Sequence, residues 1–90
     1  MQIRTIIESP SVSFKVDAEI AIYPRLEQAF ESVKWWLAHS PESGELLDDF
    51  HWLYKQKGNR DLNIPALVVV YTFSADEVEL IAILVRLPTL

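Results

Sequence analysis

The clearest pattern in the chain is a stripe of apolar residues with helical spacing between residues 24 and 39. Apolar side chains recur there every three or four positions, which places them on one face of a helix. The stripe consists of Leu26, Ala29, Phe30, Val33, Trp36 and Leu37. Pro24 suits a first helical turn, and Ser40 precedes a proline and therefore avoids the helical region. The pattern predicts a helix over residues 24–39, buried through this stripe, and then a turn over residues 41–44.

Three later segments have the β-branched and aromatic residues that are typical of strands. They are residues 50–56, 66–73 and 78–85, separated by a loop at 57–61 and a turn at 74–77. Residues 3–7 predict a further strand at the start of the chain. Glu79 is the only charged residue of the last strand, so we expect it near the strand end or facing water. Pro88 is expected to end the sheet.

Residues 9–22 fit two different elements. Val12, Phe14 and Val16 alternate with polar residues, and this period of two is typical of a strand. A short helix that begins at Ser9 and Pro10 is the other interpretation, and both remain open at this point.

The order of strand, helix and three strands predicts an α+β fold. We expect an antiparallel sheet of about four strands, with N-terminal helices packed on one face. The 90 residues correspond to one domain, residues 1–90, without an internal repeat or linker.

Composition and charge exclude several classes of function. The chain has no cysteine, which excludes disulfides and thiolate metal sites. It shows no leader pattern and no apolar run of about 20 residues, so we expect a cytoplasmic protein without a membrane partner. No phosphate-binding glycine loop, Ser/His/Asp arrangement or metal motif is present, and we expect no cofactor and no metal. The net charge is −5, so nucleic-acid binding would require a local basic patch.

Four basic residues are candidates for such a patch. Lys55 and Lys57 are separated by one residue and would share one face of a strand. They form either a solvated edge that blocks aggregation or a functional basic patch. Arg60 stands beside Asp61 in a loop and is expected to be a solvated charge. Arg86 would pair either with a phosphate or with a nearby carboxylate.

Trp35 is the candidate for contact with a partner. It points about 100° away from its neighbour Trp36 on a helix. A half-exposed tryptophan is often the anchor of an interface, although packing under a neighbouring loop explains it equally well. His39 falls at the helix end, where the dipole favours an imidazolium. His51 has no second ligand at metal-binding spacing.

Three segments resemble the RelE/ParE toxins. Residues 69–84, Val-Val-Tyr-Thr-Phe-Ser-Ala-Asp-Glu-Val-Glu-Leu-Ile-Ala-Ile-Leu, look like the family's "vvYxxxxdeveilail" hairpin. Residues 38–44 are similar to the "DPxxG" turn that follows the family's long helix. Residues 54–57, Tyr-Lys-Gln-Lys, resemble the Lys-x-Lys strand of the mRNA-cleaving branch. With the leading strand and helices, the resemblance covers nearly the whole chain.

The resemblance implies the toxin of a type II toxin–antitoxin system, neutralised by a cognate antitoxin protein. One branch of the family cleaves mRNA in the ribosomal A site, and another poisons DNA gyrase. Lys55, Lys57 and Arg86 match or nearly match the family's catalytic residues, and Arg60 would add to nucleic-acid binding. Where the family carries an arginine on the central strand, this chain is apolar, so the endoribonuclease site is incomplete. The alternative is a catalytically inactive RelE-like interaction module, and a homodimer is compatible with either.

Overall fold

The computed structural model describes residues 3–86, and the structural statements below concern this part of the chain. The elements in chain order are β1 (Thr5–Glu8), α1 (Pro10–Ile20), α2 (Leu26–His39), a 3₁₀ turn (Pro41–Ser43), β2 (Glu45–Leu46), β3 (Trp52–Gln56), β4 (Ala66–Phe73) and β5 (Glu77–Arg86). The predicted α+β fold is confirmed. The predicted stop at Pro88 lies outside the described residues.

The five strands form one sheet in the order β1-β5-β4-β3-β2. Three neighbouring pairs are antiparallel, whereas β1 runs parallel to β5. The prediction of about four strands in an antiparallel sheet was therefore wrong in two respects. The two helices that follow β1 lead to β2 at the opposite edge of the sheet, and the chain reaches β5, the parallel neighbour of β1, only after β2, β3 and β4. β2 has only two residues, both exposed, and so leaves no hydrophobic pattern.

Residues 9–22 form a helix rather than a strand. Ser9 caps α1 because its Oγ accepts a hydrogen bond from the Val12 N–H at 3.4 Å, and Pro10 occupies the first turn. Val12 and Val16 are buried, whereas Phe14 is 78% exposed. Two residues four positions apart share a helix face and also fit a period of two, which is why the sequence pattern was ambiguous.

Helix α2 begins at Leu26, two residues later than predicted, because Pro24 and Arg25 lie in a turn. Five residues of the predicted stripe are buried, and Ala38 joins them. The exception is Trp36, which is 46% exposed, so its predicted burial was wrong. Adjacent helical residues point about 100° apart, and the fully buried Leu37 occupies the centre of the buried face.

The helices cover one face of the sheet. Leu67, Val69 and Tyr71 of β4 point to this face and are fully buried, as are Val78 and Leu80 of β5. Glu79, between the last two, is exposed, as predicted. Neither helix in the described residues has the length and apolar character that crossing a bilayer requires.

A β-bulge at Ile81 changes which residues of β5 face the helices. Val70 pairs with Ala82 but Tyr71 pairs with Leu80, which leaves Ile81 as the extra residue. Beyond the bulge, Ile83 and Val85 pack against the core. The Ile81 carbonyl accepts hydrogen bonds from the hydroxyls of Ser9 and Ser11, at 3.3 and 3.5 Å. The two serines at the start of α1 therefore supply hydrogen-bond donors to the carbonyl of the bulged residue.

Tyr71 connects the central strand to the end of α2. Its hydroxyl donates a hydrogen bond to the Pro41 carbonyl within the core. A side chain at Gly44 would collide with the Tyr71 hydroxyl and the Leu53 carbonyl, so this position needs glycine. Burial raises the pKa of Tyr71 to about 12, and the Gly44 backbone N–H acts in the opposite direction.

We expect Phe30→Ala to lower the free energy of unfolding by about 3–5 kcal/mol, because it leaves a cavity between α2 and the sheet. The matched control is Phe14→Ala, the same substitution on an exposed side chain of α1. Urea denaturation would measure both variants. Equal stability of the two would contradict the packing of α2.

We expect Tyr71→Phe to lower the free energy of unfolding by about 1–3 kcal/mol, because it leaves a buried carbonyl without its donor. Tyr54→Phe, at a half-buried tyrosine on β3, is the control. The folded state holds the Tyr71 proton more tightly than the unfolded chain. Wild-type stability should therefore fall as the pH rises from about 10 towards 12. The Tyr71→Phe variant should lose this alkaline slope, and retaining it would assign the slope to another group.

Candidate functional site

Five of the eight Lys and Arg residues lie at one end of the sheet, where β3 and β5 end, β4 begins and α2 begins. We refer to this region as the basic end. Its residues are Arg25, Lys55, Lys57, Arg60 and Arg86. The four basic candidates from the sequence are thus brought to the same end, and Arg25 joins them although the sequence pattern did not indicate it.

Lys55 and Arg86 lie on the sheet face that the helices leave uncovered. Lys55 on β3 pairs with Val68 on β4, Val68 pairs with Leu84 on β5, and Arg86 pairs with Ala66. Lys55 is two strands away from Leu84 in the same row, and Arg86 lies two residues further along β5, so strand spacing places Lys55 and Arg86 about 12 Å apart. Both are exposed. Val68, the central-strand residue in the row of Lys55, is apolar.

Lys57 follows the end of β3 and lines a pocket of about 420 Å³. The pocket lies between the start of α2 and the end of β3, and Arg25 and Gln28 line it from the helix side. Lys57 thus connects the uncovered sheet face to a cationic cleft beside α2. No sequence periodicity pointed to Arg25, because it stands in the turn before the helix.

The loop between β3 and β4 is closed by backbone hydrogen bonds. Asn59 and Ile64 exchange N–H···O bonds of 2.8 and 2.9 Å, and the Arg60 carbonyl accepts from the Asn63 N–H. A side chain at Gly58 would collide with the backbone of residues 64–66. This closure holds Lys57 and Arg60 close to the strand ends.

The cations of the basic end have no hydrogen-bonded or ion-paired side-chain partner among residues 3–86. The remaining three cations are all engaged. Arg4 donates to the Ser74 carbonyl, Lys15 pairs with Glu19, and Lys34 pairs with Glu31 and Glu8. Glu27 and Asp61 lie in the same region as the basic end without forming an ion pair with it. The basic end is therefore a concentration of cations that form no ion pair in the described part of an acidic chain.

Both histidines lie away from the basic end. The Nδ1–H of His39 donates to the Trp35 carbonyl at 2.7 Å, one turn earlier in α2. His51 bonds to Asp48 at 2.9 Å. The Phe50 N–H, and after it the His51 ring, lower the pKa of Asp48. No group of three His, Asp or Glu residues suited to a metal occurs in the described part of the chain.

A second surface feature surrounds Trp35. This side chain is 54% exposed, stacks on His39 at 4.1 Å between ring centroids, and contacts Trp36 edge-on. It lines a groove of about 500 Å³ between α2 and β1, which we call the Trp35 groove. The other lining residues are Ile3, Ile6, Glu31, Lys34, Ala38 and His39. Burial acts to lower the pKa of Lys34, but its bonds to Glu31 and Glu8 outweigh this and raise it.

No known family, curated protein or solved structure matches the chain.

Proposed function

We propose that the chain is a divergent RelE/ParE-type toxin whose basic end binds the sugar–phosphate backbone of RNA. The observation that carries this proposal is the set of five cations at one end of a chain with net charge −5, none of them in an ion pair within residues 3–86.

Lys55 and Arg86 of the basic end are spaced farther apart than the Debye length of about 8 Å at physiological salt, so screening makes their mutual repulsion small. A phosphate backbone bound across these cations would release its own condensed counterions, which favours binding. Arginine and lysine are also the residues that form charge-assisted hydrogen bonds with phosphate oxygens. A polyanion is therefore the ligand that these five side chains suit best.

The chemistry of RNA cleavage assigns roles to the same residues. Cleavage requires a base for the 2′-OH, positive charge for the phosphorane and an acid for the leaving 5′-oxygen. One of Lys55 and Lys57 would take the proton of the 2′-OH, the other would protonate the leaving 5′-oxygen, and Arg86 would stabilise the charge that develops on the phosphorane. Leu67, Val68 and Val69 of the central strand are all apolar where the family carries an arginine, so we expect RNA binding with slow cleavage.

The sequence resemblance supports a toxin over an unrelated RNA binder. The segment similar to the family hairpin forms the β4–β5 hairpin, and the segment similar to the Lys-x-Lys strand falls on β3 and its end. A toxin of this kind has an antitoxin partner, and DNA gyrase is the target of the other branch.

We expect Lys55→Ala/Lys57→Ala to weaken binding of single-stranded RNA and to lower the salt slope of log K by about 1.4. Lys15→Ala/Lys34→Ala removes the same charge from α1 and α2 and is the matched control. Fluorescence anisotropy at several salt concentrations would measure both variants.

Expression without a partner tests the toxin itself. The wild type should arrest growth and cleave mRNA, and the double variant should do neither. Arrest that survives Lys55→Ala/Lys57→Ala would show that these lysines are not the site. RNA binding equal to that of the control variant would contradict the basic end as the interface.

The Trp35 groove favours a second candidate function, a protein-interaction module without catalysis. A half-exposed tryptophan beside an apolar groove has the features of an interface anchor. Helix-in-groove and strand-edge binding both use such surfaces. The groove would serve an antitoxin equally well if the chain is a toxin.

We expect Trp35→Ala to weaken binding to the product of the neighbouring reading frame by tenfold or more, as truncation of an interface anchor does. Phe14→Ala removes an exposed aromatic from α1 and is the control. Calorimetric titration would measure both. Equal affinity of the two variants would exclude the Trp35 groove as the partner site.

A further inference from the structure

Strand β4 is apolar on both faces, although the helices cover only one of them. Its inward residues Leu67, Val69 and Tyr71 are fully buried. The alternate positions, Ala66, Val68 and Val70, are also apolar. Antiparallel strands with one solvated face normally alternate apolar and polar residues, whereas continuous apolar strands are typical of sheets covered on both sides. The composition of β4 therefore indicates that another surface packs on the face of the sheet opposite the helices.

The uncovered face, which we call the open face, has an apolar centre that extends over β3, β4 and β5. One row across the sheet consists of Leu53, Val70 and Ala82. In the next row Val68 and Leu84 are adjacent, Lys55 stands beside Val68 on β3, and Leu84 is 45% exposed. The β-bulge is the reason that Ala82, Leu84 and Arg86 point to this face. The apolar centre consists of Leu53, Val68, Val70, Ala82 and Leu84.

Opposite charges stand at the two ends of the open face. Glu77 and Glu79 lie at the beginning of β5, and Arg86 lies at its end. Glu79 pairs with Thr72 and Arg86 pairs with Ala66, so the two charges are about 20 Å apart along the sheet. Val69 of β4 lies midway between Ala66 and Thr72. The open face is thus acidic at one end, apolar in the middle and basic at the other end.

We infer that the open face binds a second copy of this chain in a symmetric, face-to-face dimer. The two-fold axis lies in the plane of the interface, runs perpendicular to the strands and crosses β4 at Val69. Rotation about this axis makes the strands of the two copies run in opposite directions. Arg86 of each copy then faces Glu79 of the other, and the two apolar centres meet. An axis along the strands would place like charges together. Charge complementarity therefore selects the first arrangement.

The size of the open face sets the expected strength of the dimer. Five strands span about 19 Å and β4 about 26 Å, so each copy would contribute roughly 500 Å². The total of roughly 1,000 Å² is at the lower limit for a specific interface. We therefore expect a dimer that dissociates at micromolar concentrations. This inference does not depend on the proposed function, although Lys55 and Arg86 would be covered in the dimer and unavailable to RNA.

Sedimentation velocity over about 1–500 µM protein, a range that brackets micromolar affinity, tests the dimer. Leu84→Glu places a charge in the apolar centre without touching the core, and should raise the dimer Kd more than about tenfold. Phe14→Glu, on α1, is the control and should leave the Kd unchanged. A wild-type chain that stays monomeric over this range would overturn the inference, and so would a dimer that Leu84→Glu does not weaken.

Charge reversal tests the orientation of the two copies. Glu79→Arg and Arg86→Glu should each raise the Kd about tenfold, because each places like charges opposite one another. The combined variant should return the Kd to within about threefold of wild type, since the pair is restored with reversed polarity. Restoration also shows that the single variants were folded. A combined variant that is no better than either single one would overturn the proposed axis.

Discussion

The hydrogen bond from the Tyr71 hydroxyl to the Pro41 carbonyl fixes where α2 ends relative to the sheet. The central strand thereby holds the 3₁₀ turn that leads to β2. At the same end of α2, the Ala38 carbonyl accepts a hydrogen bond of 2.9 Å from the Arg4 N–H, just before β1. One helix terminus therefore positions both outer strands of the sheet. The absence of a side chain at Gly44 is what permits the approach.

This anchoring also determines the polarity of the molecule. With the C-terminal end of α2 held beside the β4–β5 turn, its N-terminal end lies beside the end of β3, where Arg25 and Lys57 share a pocket. Acidic residues of β5 are at one end of the sheet and the cations of the basic end are at the other. The same charge separation supports both the RNA-binding proposal and the dimer. The two states are mutually exclusive, because the dimer would cover Lys55 and Arg86.

The sequence predicted best where one periodicity was present over a long segment. The α2 stripe and the apolar run of β4 were both located, and the bounds of β4 were correct. Trp36 was misjudged because helical spacing alone does not distinguish the centre of a buried face from its margin. The parallel pairing of β1 depends on contacts distant in sequence. Arg25 joined the basic end only because the β3–β4 loop folds back towards α2, a closure that no local pattern encodes.

The bulge at Ile81 has a consequence for how insertions and deletions act on this chain. A strand has only two faces, so one extra residue exchanges the environment of everything that follows it. A regular strand that kept every residue would place Arg86 beneath the helices and turn Ile83 and Val85 towards water, whereas deletion of Ile81 would remove the bulge and leave these residues on their present faces. In the loop between β3 and β4, a change of length alters only a surface connection. The bulge can therefore absorb the loss of one residue, whereas the same loss in a regular part of β5 would exchange the buried and exposed faces of the residues that follow.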